Sequence, residues 1–502
     1  VLCLSLLVIG LDNTILNVAL PTLSQDLSAS ASQLQWIVDS YVLVFAGLLL
    51  TMGALGDRFG RRKALIGGLT IFGAASGLSA LAESAEMLIA TRALMGVGGA
   101  LIMPATLSII TDVFPAHERG RAIAAWAAVS GLGVVAGPVI GGWLLEHFWW
   151  GSVFLVNVPV VVAALAAGWF LVPESKDPKA TPLDPAGAAL SVAGLGALVY
   201  AIIEAPAKGW TDPIVLGAFA LATVLLVTFV AWELRSPHPM LRISFFRDAR
   251  FSAASAAITL VFFALFGSIF LLTQYLQFVK GYTPLEAGVR VTPIAAVILG
   301  APLSARLVER VGRKAVVTAG LLIVATGLAT MSTVDAGTSY PFLAASLATL
   351  GFGMGMTMAP ATDSVMGSVP KEKAGVGSAM NDTTRQVGGA LGVAILGSVL
   401  AQGYGASIAP TLAGLPPEAA GLAGDSIGGA VAVATRAGGE AGAALLGAAG
   451  DAFVDGMGVA LLVAAGVAVV GALTSLRFLP AERRRDRSRA TVPAEERVPV
   501  RG

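Results

Sequence analysis

Charge is what this chain has least of. Only 13% of its 502 residues are Asp, Glu, Lys or Arg, where a soluble domain carries roughly a quarter. The 32 Lys and Arg nearly cancel the 31 Asp and Glu, leaving a net charge of +1, so no bulk field favours nucleic acid. A single cysteine, Cys3, excludes an intrachain disulfide framework. The three histidines, His117, His147 and His238, all fall between the apolar blocks. No imidazole is therefore available inside one, and a proton held there has to sit on a carboxylate. No GxxxxGK[ST] loop occurs, and no polar stretch is long enough to fold into a nucleotide-binding domain.

What is present is apolar. Hydrophobic residues make up 56% of the chain and the mean hydropathy is +0.81. The apolar residues fall into blocks of about 20, the length a helix needs to cross a bilayer core of roughly 30 Å. Sixty glycines suit helices that pack closely in lipid. Apolar blocks set against polar breaks predict about fourteen spans, at 1–21, 35–55, 64–82, 86–111, 121–145, 152–172, 185–205, 213–233, 251–276, 286–308, 314–334, 341–367, 375–401 and 453–477. Val1 already lies inside an apolar run with no small-residue cleavage site after it, so a trimmed N-terminus rather than a signal peptide is expected.

Alternate loops hold the basic residues: Arg58, Arg61, Arg62 and Lys63; Arg119 and Arg121; Lys176 and Lys179; Arg235, Arg242, Arg247 and Arg250; Arg310, Arg313 and Lys314; Lys371 and Lys373. The opposite loops offer little beyond Lys208, Lys280 and Arg436. The positive-inside bias then places both termini in the cytoplasm, with a basic tail over 478–502. Residues 402–452 are Ala/Gly-rich with four acids spread through them and are expected to form an external loop, either with amphipathic helical pieces or as a flexible linker.

The loop Gly53–Lys63, with Asp57, Arg58, Gly60 and Arg61, is echoed at Ala305–Lys314 by Glu309, Arg310, Gly312 and Arg313. Such an echo fits two six-helix halves joined by a parallel repeat, with a site between them near mid-membrane. The expected organisation is a first bundle over 1–172, a linker with two inserted helices over 173–250, and a second bundle over 251–477.

Four stretches carry a family resemblance: Leu11–Pro21, Gly53–Lys63, Arg92-Ala-Leu-Met-Gly96-Val-Gly98-Gly99, and Gly133-Val-Val-Ala-Gly137-Pro138-Val-Ile-Gly141-Gly142. Together they resemble the major facilitator superfamily, specifically its 14-helix drug:proton antiporters. The stretch Trp36-Ile37-Val38-Asp39-Ser40-Tyr41 looks closest to the QacA/SmvA-type branch. The resemblance implies an all-α major facilitator fold in a bacterial cytoplasmic membrane. The implied function is proton-coupled export of lipophilic cationic drugs, dyes and quaternary ammonium biocides. The alternative is export of one antibiotic or metabolite by the same fold. Neither reading implies a cofactor, a metal, a nucleic acid or enzymatic chemistry, and a monomer is expected.

A charge inside the bilayer costs roughly 2.5 kcal/mol or more, which makes each such acid a candidate for function. Asp12 lies nine residues before Pro21, roughly 13 Å along a helix and so near mid-membrane. A carboxylate there can bind a proton or a cation but not readily both; a pairing with an arginine is the competing reading. Asp39 sits a few residues into the second span, flanked by Trp36 and Tyr41, which offer π faces to a cation or else form an interfacial belt. Asp382, in Asn381-Asp382-Thr383-Thr384-Arg385, lies by resemblance where QacA-type proteins place cation-handling acids, or else pairs locally with Arg385. The tenth span departs from that pattern, because Val297-Ile298-Leu299 offers no acid. A buried Arg92 needs a partner and by resemblance tunes the acids of the first half. Asp57, Arg58, Gly60 and Arg61 are expected to gate the cytoplasmic side, with Asp57 at a helix N-terminus of the other half. Gly133, Gly137, Pro138, Gly141 and Gly142 are expected to give a kinked, closely packed helix that resists leak.

Overall fold

A computed structural model describes residues 1–176, 183–369 and 374–479. The expected basic groups Lys179, Lys371 and Lys373 and the tail from residue 480 onward lie outside the described residues. Every regular element among the described residues is helical. The first part of the chain forms α1 (Leu2–Asp26), α2 (Ala31–Phe59), α3 (Arg61–Ala80), α4 (Ala85–Val113), α5 (Ala116–His147), a single turn α6 (Ser152–Leu155) and α7 (Asn157–Leu171). A helical pair follows, α8 (Pro185–Lys208) and α9 (Pro213–Arg235). Beyond it come α10 (Ala249–Gln274), which runs on through a π turn (Tyr275–Val279), and the broken pair α11 (Pro284–Val291) and α12 (Val297–Val311) with a 3₁₀ turn between them. The chain closes with α13 (Arg313–Met331), α14 (Tyr340–Gly367), α15 (Ala374–Leu412), α16 (Pro417–Asp425), α17 (Ile427–Ala437) and α18 (Gly439–Phe478).

Thirteen helices are long and apolar enough to cross a membrane among the described residues. They fall on thirteen of the expected spans; the span expected at 121–145 falls on the 32-residue α5.

The echo in the sequence is an echo in the packing. In the first half α1 packs on α5, α2 on α4, α3 on α4 and α3 on α7; in the second half α10 packs on α15, α12 on α14, α13 on α14 and α13 on α18. The two loops match in backbone as well. Gly60 (φ 128°) and Gly312 (φ 86°) each end one helix and start the next in the left-handed region, which a side chain disfavours. The end holding these two turns is called inner, after the orientation expected from the basic loops, and the opposite end outer.

Between the halves, α8 packs on both α2 and α15, and α9 packs on α8. The contact is close: a Cβ on Gly47 of α2 would lie 2.4 Å from Cγ2 of Val192 on α8. Helices in lipid gain little from burial alone, so such close approach is what holds the inserted pair. The far face of α9 exposes Leu221, Val224, Val227, Val230 and Leu234 and fits hydrocarbon rather than water.

Of the two readings of residues 402–452, the structure has helical pieces and not a flexible linker: α15 runs on to Leu412, α18 begins at Gly439, and α16 and α17 fill most of the interval. Ala is the best helix former, so an Ala-rich stretch too polar to span lipid still makes helix. The short pair caps the outer end. Asp425 Oδ2 accepts a hydrogen bond from the Ala31 amide at the start of α2 (3.1 Å), and Gly428 sits against Ser24 of α1.

Candidate functional site

The site begins with the glycines of α4. A Cβ on Gly96 would lie 2.6 Å from the Tyr41 carbonyl oxygen, and one on Gly98 would lie 2.7 Å from the Phe72 amide nitrogen. Only glycine lets α4 approach both α2 and α3 this closely. That approach brings Arg92, 1% exposed, into the middle of the first half.

Arg92 is held on every side. Its Nη1 donates to Asp12 Oδ2 at 2.5 Å, its Nε donates to the Ile37 carbonyl at 3.3 Å, and its Cζ lies 4.4 Å from the centre of the Tyr41 ring. Asp12 is itself fully buried, and its second oxygen accepts from Asn157 Nδ2 at 3.2 Å. Asn157 also donates to Ser76 Oγ at 3.1 Å. Pairing with arginine, one of the two readings open for Asp12, is thus the arrangement found. A charge at that depth requires such a counter-ion.

Asp39 is different. It is fully buried, and neither of its carboxylate oxygens has a hydrogen-bond partner. Two residues along a helix turn the side chain by roughly 200°, so Asp39 points away from Tyr41 and from the Asp12–Arg92 pair. It shares its face of α2 with Gln35, one turn earlier, whose side chain lies against Gly397 of α15. The structure does not bring Asp12 and Asp39 into one network. Nor do the flanking aromatics turn to Asp39: Trp36 meets Tyr200 of α8 with ring centres 6.2 Å apart, and the Tyr41 face is taken by Arg92.

On α15, Asp382 is buried, with Oδ1 3.7 Å from Nη1 of Arg385. The neighbouring Asn381 keeps an unpartnered Oδ1. At the inner loop, Asp57 accepts from Arg61 Nε at 2.8 Å, and Arg61 reaches on to Asp112 at 3.6 Å. The second half repeats this with Arg313 and Asp363. Asp57 finds its described partner in its own loop, and Arg58 lies over Phe59 at 5.6 Å.

The glycines of α5 divide by face. Cβ atoms on Gly133, Gly137 and Gly141 would run into Leu7–Leu11, Thr14 and Ile15 of α1, and one on Gly142 would run into Pro284 and Leu285 of α11. The Pro138 carbonyl lies against Gly288 of the same helix. The stripe therefore joins α5 to its own half, and the Pro138–Gly142 face joins it to the other half.

Two groups escaped the sequence reading. Asn157 is a neutral amide and carries no cost that marks it. Asp184 and Glu233 form a buried acidic pair at the inner end of α8 and α9. Asp184 caps α8 and accepts from Trp232 Nε1 at 2.9 Å, and Glu233 Oε2 accepts from the Leu241 amide at 2.9 Å. A charge count along α9 finds Glu233 but not its depth, since it lies next to Arg235 at the helix end.

Residues 2–393 match the Major Facilitator Superfamily. The chain belongs to this superfamily. The multidrug efflux pump LfrA of Mycolicibacterium smegmatis is 40% identical over 94% of each chain. The methyl viologen resistance protein SmvA of Salmonella typhimurium is 38% identical over 90% of this chain and 92% of its own. The tetracenomycin C resistance and export protein of Streptomyces glaucescens is 35% identical over 95% and 90%. Among solved structures, a bacterial homologue of the lysosomal transporter Spinster, inward-facing and unoccupied, aligns over 95% of this chain and 96% of its own with a TM-score of 0.66 at 20% identity. That likeness shows the fold. This facilitator is accordingly a multi-pass membrane protein of transporter architecture.

Proposed function

We propose that the protein exports lipophilic cationic drugs, dyes and quaternary ammonium biocides across a bacterial cytoplasmic membrane in exchange for protons. The observation that carries the reading is Asp39, a buried carboxylate with no counter-ion and no hydrogen bond. An uncompensated charge at that position is too costly to persist, so the group holds either a proton or a cationic guest. That exclusion couples the two fluxes. Asp12 starts from a different position, because its charge is already met by Arg92. We assign Asp12, Arg92 and Tyr41 to a polar core that shapes the first half, and Asp39, with Asp382 and Asn381 across the repeat, to exchange. The names of LfrA and SmvA support the cargo.

The proposal also takes 1–172 and 251–477 as the two six-helix halves, 173–250 as the inserted pair with its linkers, α5 as the fourteenth crossing, both termini as cytoplasmic, and the working unit as a monomer. Asp57, Arg58, Gly60 and Arg61 gate the inner side, and Gly133, Gly137, Pro138, Gly141 and Gly142 seal the outer. The tetracenomycin C resistance and export protein and the methylenomycin A resistance protein among the relatives favour a second reading, a dedicated exporter of one antibiotic.

The test compares Asp39→Asn with Asp12→Asn for ethidium efflux, together with proton movement in inverted vesicles. Adding substrate is expected to release protons from wild-type vesicles and none from Asp39→Asn. Undiminished proton release by Asp39→Asn would defeat the assignment. A wild-type protein that moves a single antibiotic and no dye would favour the second reading.

A further inference from the structure

A cavity of ≈ 200 Å³ lies between the inserted pair and helices α2, α10 and α15. Its walls are Ala46 and Leu50 of α2, Met380 and Thr383 of α15, and Ser191 and Leu195 of α8. The segment after α9 closes it with Met240 and Leu241. Among the described residues no charged side chain lines it. Its position is on the inner side of mid-membrane. Leu50 is nine residues from the inner end of α2 and Thr259 is ten residues from the start of α10, roughly 13–15 Å along each helix. This is the depth of the acyl chains of the inner leaflet.

Two observations show what it accepts. Thr259 and Thr384 line the cavity but spend their hydroxyls on their own helices, donating to the Ser255 and Asn381 carbonyls. Thr383 Oγ1 has no partner, but it is buried and presents no surface to the space; the accessible hydroxyl without a described partner is that of Ser191. The site therefore offers apolar walls and one unmet hydroxyl. Water needs two to four polar partners to settle in a cavity, and this half-open, largely apolar space offers fewer. A cation is disfavoured because no described acid reaches the lining: Asp382 lies on the face of α15 turned roughly 150° from the lining residues, and Asp39, on the lining face of α2, stands seven residues, roughly 10 Å, outward of Ala46.

We propose that this cavity binds an uncharged, hydrocarbon-rich molecule with one hydrogen-bonding group, and that its occupancy regulates transport. The ligand touches α2 of one half, α10 and α15 of the other, and α8 across both. Those helices must shift against one another when the halves rock. A ligand that fits one arrangement better than the other shifts the balance between them.

The test uses a hydroxymethyl-phenyl diazirine as the probe on the full protein in lipid nanodiscs, with labelled peptides mapped. Saturable labelling is expected in 186–197 and 380–390, displaced by excess benzyl alcohol and not by tetraphenylphosphonium. Ser191→Phe and Ala46→Phe, which fill the space, are expected to lower it at least fivefold. Labelling of the lipid-facing side of α9 stays unchanged and reports that the variants are folded. Removing lipid distinguishes the natural sources: a rise marks a resident acyl tail and no change marks a free lipophile, and either result supports the site. Labelling that does not saturate, survives both filled variants, or is displaced equally by the cation overturns it. The regulatory half rests on the export reading. There the lipophile is expected to change the maximal rate of dye efflux severalfold at constant half-saturation, and Ser191→Phe is expected to be insensitive. Saturable labelling in a protein that exports nothing would keep the site and remove the export reading. Saturable labelling with efflux kinetics unmoved would remove the regulation.

Discussion

Arg92 meets a carboxylate, a backbone carbonyl and an aromatic face at once, and nothing but a planar guanidinium can satisfy all three. The pair it makes with Asp12 is buried on both sides. Removing one partner of such a pair strands the other and costs about 3–5 kcal/mol, whereas replacing both with apolar groups of like size is often neutral. Asp12→Asn is therefore expected to lower the stability of the purified protein by about that amount, and the double variant Asp12→Leu with Arg92→Met to recover most of it while failing to export dye. Thermal unfolding in detergent checks the first half of this statement and efflux the second. Equal stability of the single and double variants would mean that the pair is not structural. These two residues were legible in the sequence because a charge in an apolar block is conspicuous. Their geometry was not, since the contact joins positions 80 residues apart. Asp39 was legible as an acid, but its isolation is a property of what α2 packs against, which no local pattern records.

At the scale of the helix, α5 shows how spacing becomes packing. Gly133, Gly137 and Gly141 recur every fourth residue and face α1. A Cβ on Gly137 would lie 2.0 Å from Thr14 Oγ1, so Gly137→Val has to push the helices apart and is expected to abolish export and lower the melting temperature. On α8, a Cβ on Gly196 would meet nothing within 4 Å. Gly196→Ala is therefore expected to be neutral or to stabilise by up to about 1 kcal/mol through helix propensity alone. Side-by-side efflux and melting curves separate the two cases. The cap helices α16 and α17 were half visible in advance, as one of two readings of an Ala/Gly-rich stretch. Hydropathy finds segments that can enter lipid, and a helix lying across the outer end carries no such mark. Gly428→Val, whose Cβ would lie 2.1 Å from Ser24 Oγ, is expected to lift the cap. In a Cys3→Ser background, a cysteine placed at Gln35 should then react several times faster with a membrane-impermeant maleimide. An unchanged rate would show that the cap does not seal the outer end.

In the whole molecule, three close contacts between the halves lie toward the outer side. Gln277 of the π turn donates to the Val18 carbonyl at 2.8 Å, the Leu285 amide donates to Glu146 at 3.4 Å, and Gly142 and Gly288 bring α5 and α11 to near contact. Two halves that rock about a central site have to break this seam once per cycle. If the seam is the outer gate, joining it covalently stops turnover without disturbing either half. In a Cys3→Ser background, Glu146→Cys with Leu285→Cys, bridged by a short reducible bis-maleimide, is expected to lower efflux at least tenfold. Cleaving the bridge should restore it. Each single variant under the same reagent should keep near wild-type efflux. The bridged protein should still bind dye added to the inner face, measured by fluorescence polarisation with half-saturation unchanged within about threefold. Loss of dye binding together with efflux would place the damage inside a half, and full efflux through a closed bridge would show that α5 and α11 do not separate during transport.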